Sequence, residues 1–79
     1  MHISVKLPSW KTLTLAVDAF DIIETLKTKI HEAEGISPDK QRLLFRYWMM
    51  EDHRTLGEYN IQEGSQIMLE GQMGRLSGS

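Results

Sequence analysis

Two short runs near the N-terminus alternate apolar and polar side chains, and no other feature limits the fold as strongly. The apolar positions are Met1, Ile3, Val5 and Leu7 in the first run and Leu13, Leu15 and Val17 in the second. A period of two is typical of a strand that buries one face. The intervening Pro8-Ser9-Trp10 is short enough for a hairpin, and Pro8 suits a type I turn. Such loops usually place glycine where φ is positive, so Trp10 predicts a strained turn.

The chain is short for a protein that folds alone, and it cannot form a disulfide bond. It has 79 residues, no cysteine and a formal net charge of -2. This length predicts one domain held by packing or by a partner. The charge argues against nucleic-acid binding, and no apolar run is long enough for a membrane span or a signal peptide. The lack of cysteine fits a reducing compartment, so we expect the cytoplasm or nucleus if the chain is expressed in cells.

A helix is predicted over residues 22 to 34. Its apolar positions, Ile23, Leu26 and Ile30, recur at helical spacing. Asp21 is expected to cap the first turn, with Glu24 three residues later as in a capping box. Gly35 follows as the residue that ends the helix, and Pro38 prevents its continuation.

The second half of the chain predicts three further strands. One covers 41 to 45, a turn at Arg46 and Tyr47 returns the chain through a short strand at 48 to 49, and the last covers 65 to 70. The parity of the alternation points Met50, Ile67 and Leu69 inward. Residues 55 to 59 are expected to form one helical turn. The domain is predicted to span 1–70, with 71–79 as a flexible tail that ends in a linker-like Ser-Gly-Ser.

The order hairpin, helix, two strands, helical turn and strand predicts an α+β domain with a β-grasp architecture, in which one helix covers a small mixed sheet. Local motifs then make the chain resemble the ubiquitin family. They are Lys11-Thr12 with Thr14-Leu15, Glu34-Gly35-Ile36 with Pro38-Asp39, Gln41-Arg42-Leu43 with Phe45, Glu51-Asp52 with Arg54-Thr55-Leu56, and Tyr59-Asn60-Ile61-Gln62. The resemblance runs from Met1 to about Glu70 and implies a mixed five-stranded sheet packed on one α-helix.

Two departures from the family concern conjugation. The family tail ends in a pair of glycines whose carboxylate is joined to lysines, whereas the matching positions here run from Gly71 to Leu76 and lack that pair. The resemblance therefore implies that activation and conjugation fail. Of the family's chain-linking lysines, Lys6, Lys11, Lys27 and Lys29 are kept, and we interpret them as solvated surface. Ala33, Trp48 and Glu63 replace the others, including those of the two commonest linkages.

A third departure concerns the surface through which the family meets its partners. The residues of that surface match Pro8, Leu44, Met68 and Glu70 here, and the neighbouring Trp10, Arg46, Tyr47, Trp48 and Met49 are also changed. Tryptophan, tyrosine and arginine are the residues that most often anchor interfaces. With the adjoining Arg42 and Gln66, the predicted partner-binding set is Pro8, Trp10, Arg42, Leu44, Arg46, Tyr47, Trp48, Met49, Gln66, Met68 and Glu70.

These departures favour an engineered, synthetic ubiquitin variant that binds and inhibits a ubiquitin-pathway protein. The expected partner is a ligase, a deubiquitinase, a conjugating enzyme or a ubiquitin-binding domain, with no nucleic acid and no membrane. A deubiquitinase fits the tail less well, because Gln72 and Gly74 stand where the family has arginines. Changes around the helix, such as Phe20 and His31, leave three alternatives open: a second designed surface, a stabilised scaffold, or a natural ubiquitin-like adaptor domain from a larger protein.

No catalytic, cofactor or metal site is expected. His2, His31 and His53 lie on different elements without metal-ligand spacing, and no paired carboxylates or phosphate loop are present. The chain is therefore expected not to be an enzyme. The strain expected at Trp10 adds one further expectation. If the strain opens the first hairpin, the chain could form a strand-swapped dimer.

Overall fold

The computed structural model describes residues 1–71. Its strands are β1 (His2–Lys6), β2 (Thr12–Ala16), β3 (Gln41–Phe45), β4 (Trp48–Met49) and β5 (Gln66–Gly71), and the one α-helix of the described part is α1 (Ile23–Glu34). Short 3₁₀ turns occupy Pro38–Lys40 and Gly57–Tyr59. No helix within these residues has the length and apolar composition needed to cross a membrane.

The strands form one mixed sheet in the order β2-β1-β5-β3-β4. β1 and β5 run parallel at its centre, and the other neighbours pair antiparallel. The helix covers one face, so the predicted β-grasp, ubiquitin-like architecture is confirmed. We call the sheet face turned away from α1 the outer face.

The core between helix and sheet contains the residues that periodicity predicts. The fully buried ones include Ile23, Leu26 and Ile30 of the helix and Ile3, Val5, Leu43 and Ile67 of the sheet. Met50 is also buried, as the parity of the hairpin predicts. Leu13 and Leu15 are only half-buried because β2 is an edge strand of the sheet.

The β1–β2 turn has the strain that its sequence predicts. The Leu7 carbonyl accepts a hydrogen bond from the Trp10 N–H at 2.9 Å, and the Leu7 N–H donates to the Lys11 carbonyl at 2.8 Å. Trp10 adopts a φ of 73°. An L-residue in this left-handed region brings Cβ close to the following carbonyl, at a cost of roughly 1–2 kcal/mol.

The predicted cap of α1 is wrong. The N-cap residue is Ile22, without a side-chain cap, and the Asp21 carboxylate accepts a hydrogen bond from the Asp18 N–H instead. The first free N–H groups of the helix, on Ile23 and Glu24, donate to the carbonyls of Arg54 and Asp52 at 2.9 and 3.0 Å. A distant loop therefore satisfies the donors that a local side chain was expected to cap.

A reciprocal capping box does occur, but at Thr55 and Glu58. The Glu58 carboxylate accepts from the Thr55 N–H at 3.0 Å, and the Thr55 hydroxyl accepts from the Glu58 N–H at 3.2 Å. The end of α1 is as predicted, because Gly35 has a φ of 76° and donates its N–H to the His31 carbonyl.

The interpretation of the retained lysines as solvated surface is wrong for Lys27. Its side chain is only 11% exposed, and its ammonium donates to the Asp52 carboxylate at 2.6 Å. A buried ammonium must be paired, since leaving it alone is costly. This ion pair ties α1 to the loop that also accepts its first N–H groups.

The predicted domain boundary at residue 70 lies one residue inside the last strand. β5 extends to Gly71, which faces Gln41. The rest of the predicted tail, 72–79, lies outside the described residues, and the prediction that it is flexible stays a prediction.

Candidate protein-binding surface

One row of side chains crosses the outer face from strand to strand. Lys6 on β1 faces Met68 on β5, Met68 faces Leu44 on β3, and Leu44 faces Met49 on β4. Residues that face each other across neighbouring strands share a face of the sheet. We call these four residues the Met68 row. Its three apolar members come from separate segments of the chain, and the sheet makes them adjacent.

Polar residues flank the Met68 row. Arg42 faces Glu70 across β3 and β5, and Gln66 faces Ser4 across β5 and β1. The register therefore places three more of the predicted residues, Arg42, Gln66 and Glu70, on the same face. An apolar strip with a polar border is the usual composition of a protein interface.

Two shallow grooves run along this face. The first, of about 350 Å³, is lined by Pro8, Trp10, Met68 and Glu70, among others. The second, of about 500 Å³, is lined by Leu44, Arg46, Tyr47, Gln66, Met68 and Glu70. Because both share Met68 and Glu70, they form one surface with the methionine between them.

Trp10 forms one wall of the first groove. The residue is 79% exposed, and the Lys6 ammonium lies 5.4 Å from the centroid of its ring. A cation over an indole face is attracted by the ring quadrupole. The contact holds the tryptophan beside the Met68 row without burying it.

The β3–β4 turn forms the wall of the second groove. Its two central residues, Arg46 and Tyr47, have φ values of 55° and 72°, which is typical of a type I′ hairpin turn. This turn strongly prefers asparagine and glycine, so both side chains are held in an unfavourable backbone conformation. The Arg46 guanidinium lies 5.2 Å from the Phe45 ring centroid, and the Tyr47 side chain is 95% exposed.

Trp48 does not join the others on the outer face. It faces Phe45 across the hairpin, and Phe45 points into the core. Alternation along β4 therefore sends Trp48 to the helix side of the sheet and Met49 to the outer side. Trp48 lines a third groove, of about 500 Å³, with Met49, Arg54 and Tyr59. Met49 therefore borders this groove and lines neither of the two outer-face grooves.

The predicted partner-binding set omits part of the exposed apolar surface. Phe20 is 87% exposed and lies in the turn between β2 and α1. An aromatic residue within Asp18-Ala19-Phe20-Asp21 is unusual for a polar turn. Among the expectations from the sequence, Phe20 enters only as part of a second designed surface. Arg54 and Tyr59 were also missed, because only the fold brings them to Trp48.

The titratable groups with shifted pKa values lie away from the grooves of the outer face. Residues 1–71 hold no group of three histidine, aspartate or glutamate side chains that fits a metal ion. His2 and His53 are exposed beside Glu63 and Glu51, at 3.8 and 3.4 Å. Hydrogen bonds from Thr55 lower the pKa of Glu58, and a hydrogen bond from Ser37 lowers that of Asp39. Neither carboxylate lines a groove of the outer face.

Known proteins similar to this chain agree with this architecture. The ubiquitin family profile matches residues 3–74. Ubiquitin-like protein NEDD8 from Dictyostelium discoideum is 38% identical over 69 residues, 87% of this chain and 90% of that protein. NEDD8-like protein RUB3 from Arabidopsis thaliana is 35% identical over 69 residues, 87% and 88% of the two chains. Large proline-rich protein bag6 from Xenopus tropicalis is 38% identical over 61 residues, 77% of this chain but 5% of that protein. The family match spans nearly all of the folded residues, and the chain therefore belongs to the ubiquitin family.

Proposed function

We propose that this chain is a protein-binding module that occupies a ubiquitin-binding site on a protein of the ubiquitin system and thereby inhibits it. The proposal rests on the Met68 row and on the two grooves beside it, one lined by Trp10 and the other by Tyr47. This surface combines large exposed side chains with grooves that a partner can fill. Interfaces use aromatic residues and methionine in this way.

The backbone strain of three surface residues in the free chain supports the proposal. Trp10, Arg46 and Tyr47 are three of the four residues other than glycine with positive φ in the described part of the chain. Strained conformations persist where a function maintains them. Tyr47 at 95% exposure gains no packing in return, so a bound partner is the simplest source of compensation.

Selection for one new partner explains the same residues, and we therefore interpret the chain as an engineered variant. The positions that would carry the family's conjugation glycines read Arg75-Leu76 here, which supports a binder that is not conjugated. Incubation with the activating enzyme and ATP tests this directly. A thioester adduct would show that the chain acts as a modifier.

A natural adaptor domain is the second candidate. The match to bag6 covers only 5% of that protein, so domains of this kind occur within much larger chains. An adaptor would use the same outer face for binding but would tether its partner to other domains. A native coding sequence that continues well beyond Leu76 would favour this alternative.

Affinity capture followed by calorimetry tests the proposed binding. A protein captured by the unmodified chain is purified and titrated with Tyr47→Ala, Met68→Ala and Trp48→Ala. Loss of Tyr47 should weaken binding by on the order of 1–4 kcal/mol, the range of aromatic anchors. Phe20→Ala is the matched control, since it removes an exposed ring away from the outer face. The captured protein should also lose its binding of ubiquitin when this chain is present.

Two results would contradict the proposal. One is unchanged affinity in both Tyr47→Ala and Met68→Ala. The other is simultaneous binding of this chain and ubiquitin to the captured protein. Because Trp48 lies on the other side of the sheet, its variant also shows whether the partner reaches around the hairpin edge.

A further inference from the structure

β2 leaves one side of its backbone open. It is one of the two edge strands of the sheet and pairs with β1 alone. Met1 and Val17 exchange hydrogen bonds, and the Leu7 N–H donates to Lys11. Because hydrogen-bonded pairs alternate along an antiparallel ladder, the N–H and C=O groups of 13 and 15 point toward β1. Those of Thr12, Thr14 and Ala16 point outward.

Within the strand itself, the open edge lacks the usual protections against pairing. Natural edge strands are interrupted by charged residues, proline or bulges. Residues 12–16 read Thr-Leu-Thr-Leu-Ala and contain no charge, proline or glycine. Leu13 and Leu15 are half-buried beside this edge, so a neighbouring strand would cover apolar area as well as satisfy the backbone.

We propose that β2 pairs with β2 of a second copy of this chain, antiparallel and about a two-fold axis at Thr14. In this register Thr14 faces Thr14 of the second copy, and Thr12 faces Ala16 of the second copy. All of these residues have outward N–H and C=O groups, so each facing pair exchanges both of its hydrogen bonds. Leu13 lies beside Leu15 of the second copy, which covers the half-exposed leucines.

The charges beside the edge fit this register. The Lys29 ammonium donates to the Ala16 carbonyl at 3.0 Å, and the Glu34 carboxylate pairs with Lys11 at 2.9 Å. Lys29 therefore lies at the Ala16 end of β2, and Glu34 lies at the Thr12 end. Antiparallel pairing brings opposite ends together, so Lys29 approaches Glu34 of the second copy at both ends of the interface. A parallel arrangement would instead place like charges side by side.

The bond from Lys29 does not block the edge. A carbonyl oxygen has two lone pairs, so Ala16 can accept from Lys29 and from Thr12 of the second copy together. The same register brings the turn that holds Phe20 to the end of the sheet where the Pro8–Trp10 loop of the second copy lies.

Edge pairing predicts a distinct set of protected amides. The N–H groups of Thr12, Thr14 and Ala16 should exchange rapidly with solvent in dilute protein and slow down as the concentration rises. The N–H of Leu13 serves as the internal control, since it points toward β1 in monomer and dimer alike. Hydrogen exchange followed by NMR measures both classes in one sample.

Substitutions separate this interface from other ways of forming a dimer. Thr14→Pro removes an outward N–H that the monomer does not use, and proline is tolerated on edge strands. Lys29→Glu places a carboxylate beside Glu34 of the second copy, and Lys40→Glu is its charge-matched control on the Pro38–Lys40 turn. We expect Thr14→Pro and Lys29→Glu each to weaken dimerisation at least tenfold in sedimentation experiments, while Lys40→Glu leaves it nearly unchanged.

Three results would overturn the inference. The first is a monomer at every concentration from micromolar to millimolar. The second is a dimer that neither Thr14→Pro nor Lys29→Glu weakens, which would indicate exchange of strands or contact through the outer face. The third is concentration-dependent protection of amides that excludes Thr14. If Thr14→Pro fails to fold, Lys29→Glu and the amide pattern still decide the question.

Discussion

The Lys6 ammonium lies 5.4 Å from the centroid of the Trp10 ring, although Trp10 occupies a backbone conformation that suits glycine. Two effects of similar size therefore oppose each other in one turn. The left-handed conformation costs roughly 1–2 kcal/mol, and an exposed cation–π contact returns about 0.5–1 kcal/mol. Because the strain outweighs the contact, the turn is less stable than it would be with glycine.

We expect Trp10→Gly to raise the free energy of unfolding by about 1 kcal/mol, because it removes the strain and loses only the weaker contact. Urea denaturation measures this change. Trp10→Ala is the control, since it keeps a Cβ in the left-handed region and still loses the ring. A gain in stability from Trp10→Ala equal to that from Trp10→Gly would show that the ring, rather than the backbone, is the source of strain.

A second prediction separates stability from binding at Tyr47. The residue is 95% exposed and its φ is 72°. Glycine is the preferred residue at this position of a type I′ turn, so Tyr47→Gly should stabilise the domain by about 1 kcal/mol. The same change should weaken partner binding on the order of 1–4 kcal/mol. Tyr47→Ala should weaken binding as much without the gain in stability. If Tyr47→Gly lowered both the stability of the domain and its affinity for the partner, this interpretation of the turn would be contradicted.

The sheet, the helix and most of the core could be predicted because they follow from short-range periodicity. Alternation identified Ile3 and Ile67 as buried, and helical spacing did the same for Leu26. The strain at Trp10 was also visible, since it depends only on the loop length and one residue type.

What the sequence did not reveal depends on contacts between distant segments. The donors expected to be capped by Asp21 are satisfied by carbonyls of residues 52 and 54, which no local motif indicates. Lys27 is buried because Asp52 meets it from the same loop. Trp48 was grouped with the outer face because β4 is only two residues long, too short to show its own alternation. Its side is set by the register with Phe45.

The ion pair between Lys27 and Asp52 gives a third prediction. Asp52→Ala leaves the Lys27 ammonium with 11% side-chain exposure and without its carboxylate partner. An unsatisfied buried donor costs about 1–3 kcal/mol, and we expect a loss of stability of about that size in urea denaturation. Lys11→Ala is the matched control, because its ion pair with Glu34 has a lysine that is 60% exposed. Exposed pairs contribute about 0–1 kcal/mol. Equal losses in the two variants would mean that burial does not strengthen the Lys27 pair.

The capping box at Thr55 and Glu58 gives a prediction about pH. The hydrogen bonds that Glu58 accepts from the backbone and side chain of Thr55, with the charge of Arg54, lower its pKa below the ordinary 4.5. A carboxylate with a lowered pKa in the folded state stabilises the fold fully above its unfolded pKa. That contribution is lost as the pH falls through the folded pKa. Wild type should therefore exceed Glu58→Gln in stability at pH 7, and the difference should shrink as the pH falls below 4.5.

Urea denaturation of wild type and Glu58→Gln at a series of pH values tests this sign. Glu32→Gln controls for the loss of one negative charge, since the Glu32 carboxylate makes no hydrogen bond or ion pair within residues 1–71. Because Glu58 is solvent-exposed, screening reduces the effect, and low ionic strength gives the clearest measurement. A stability difference that stays constant or grows on acidification would mean that the Thr55 hydrogen bonds do not favour the ionised carboxylate.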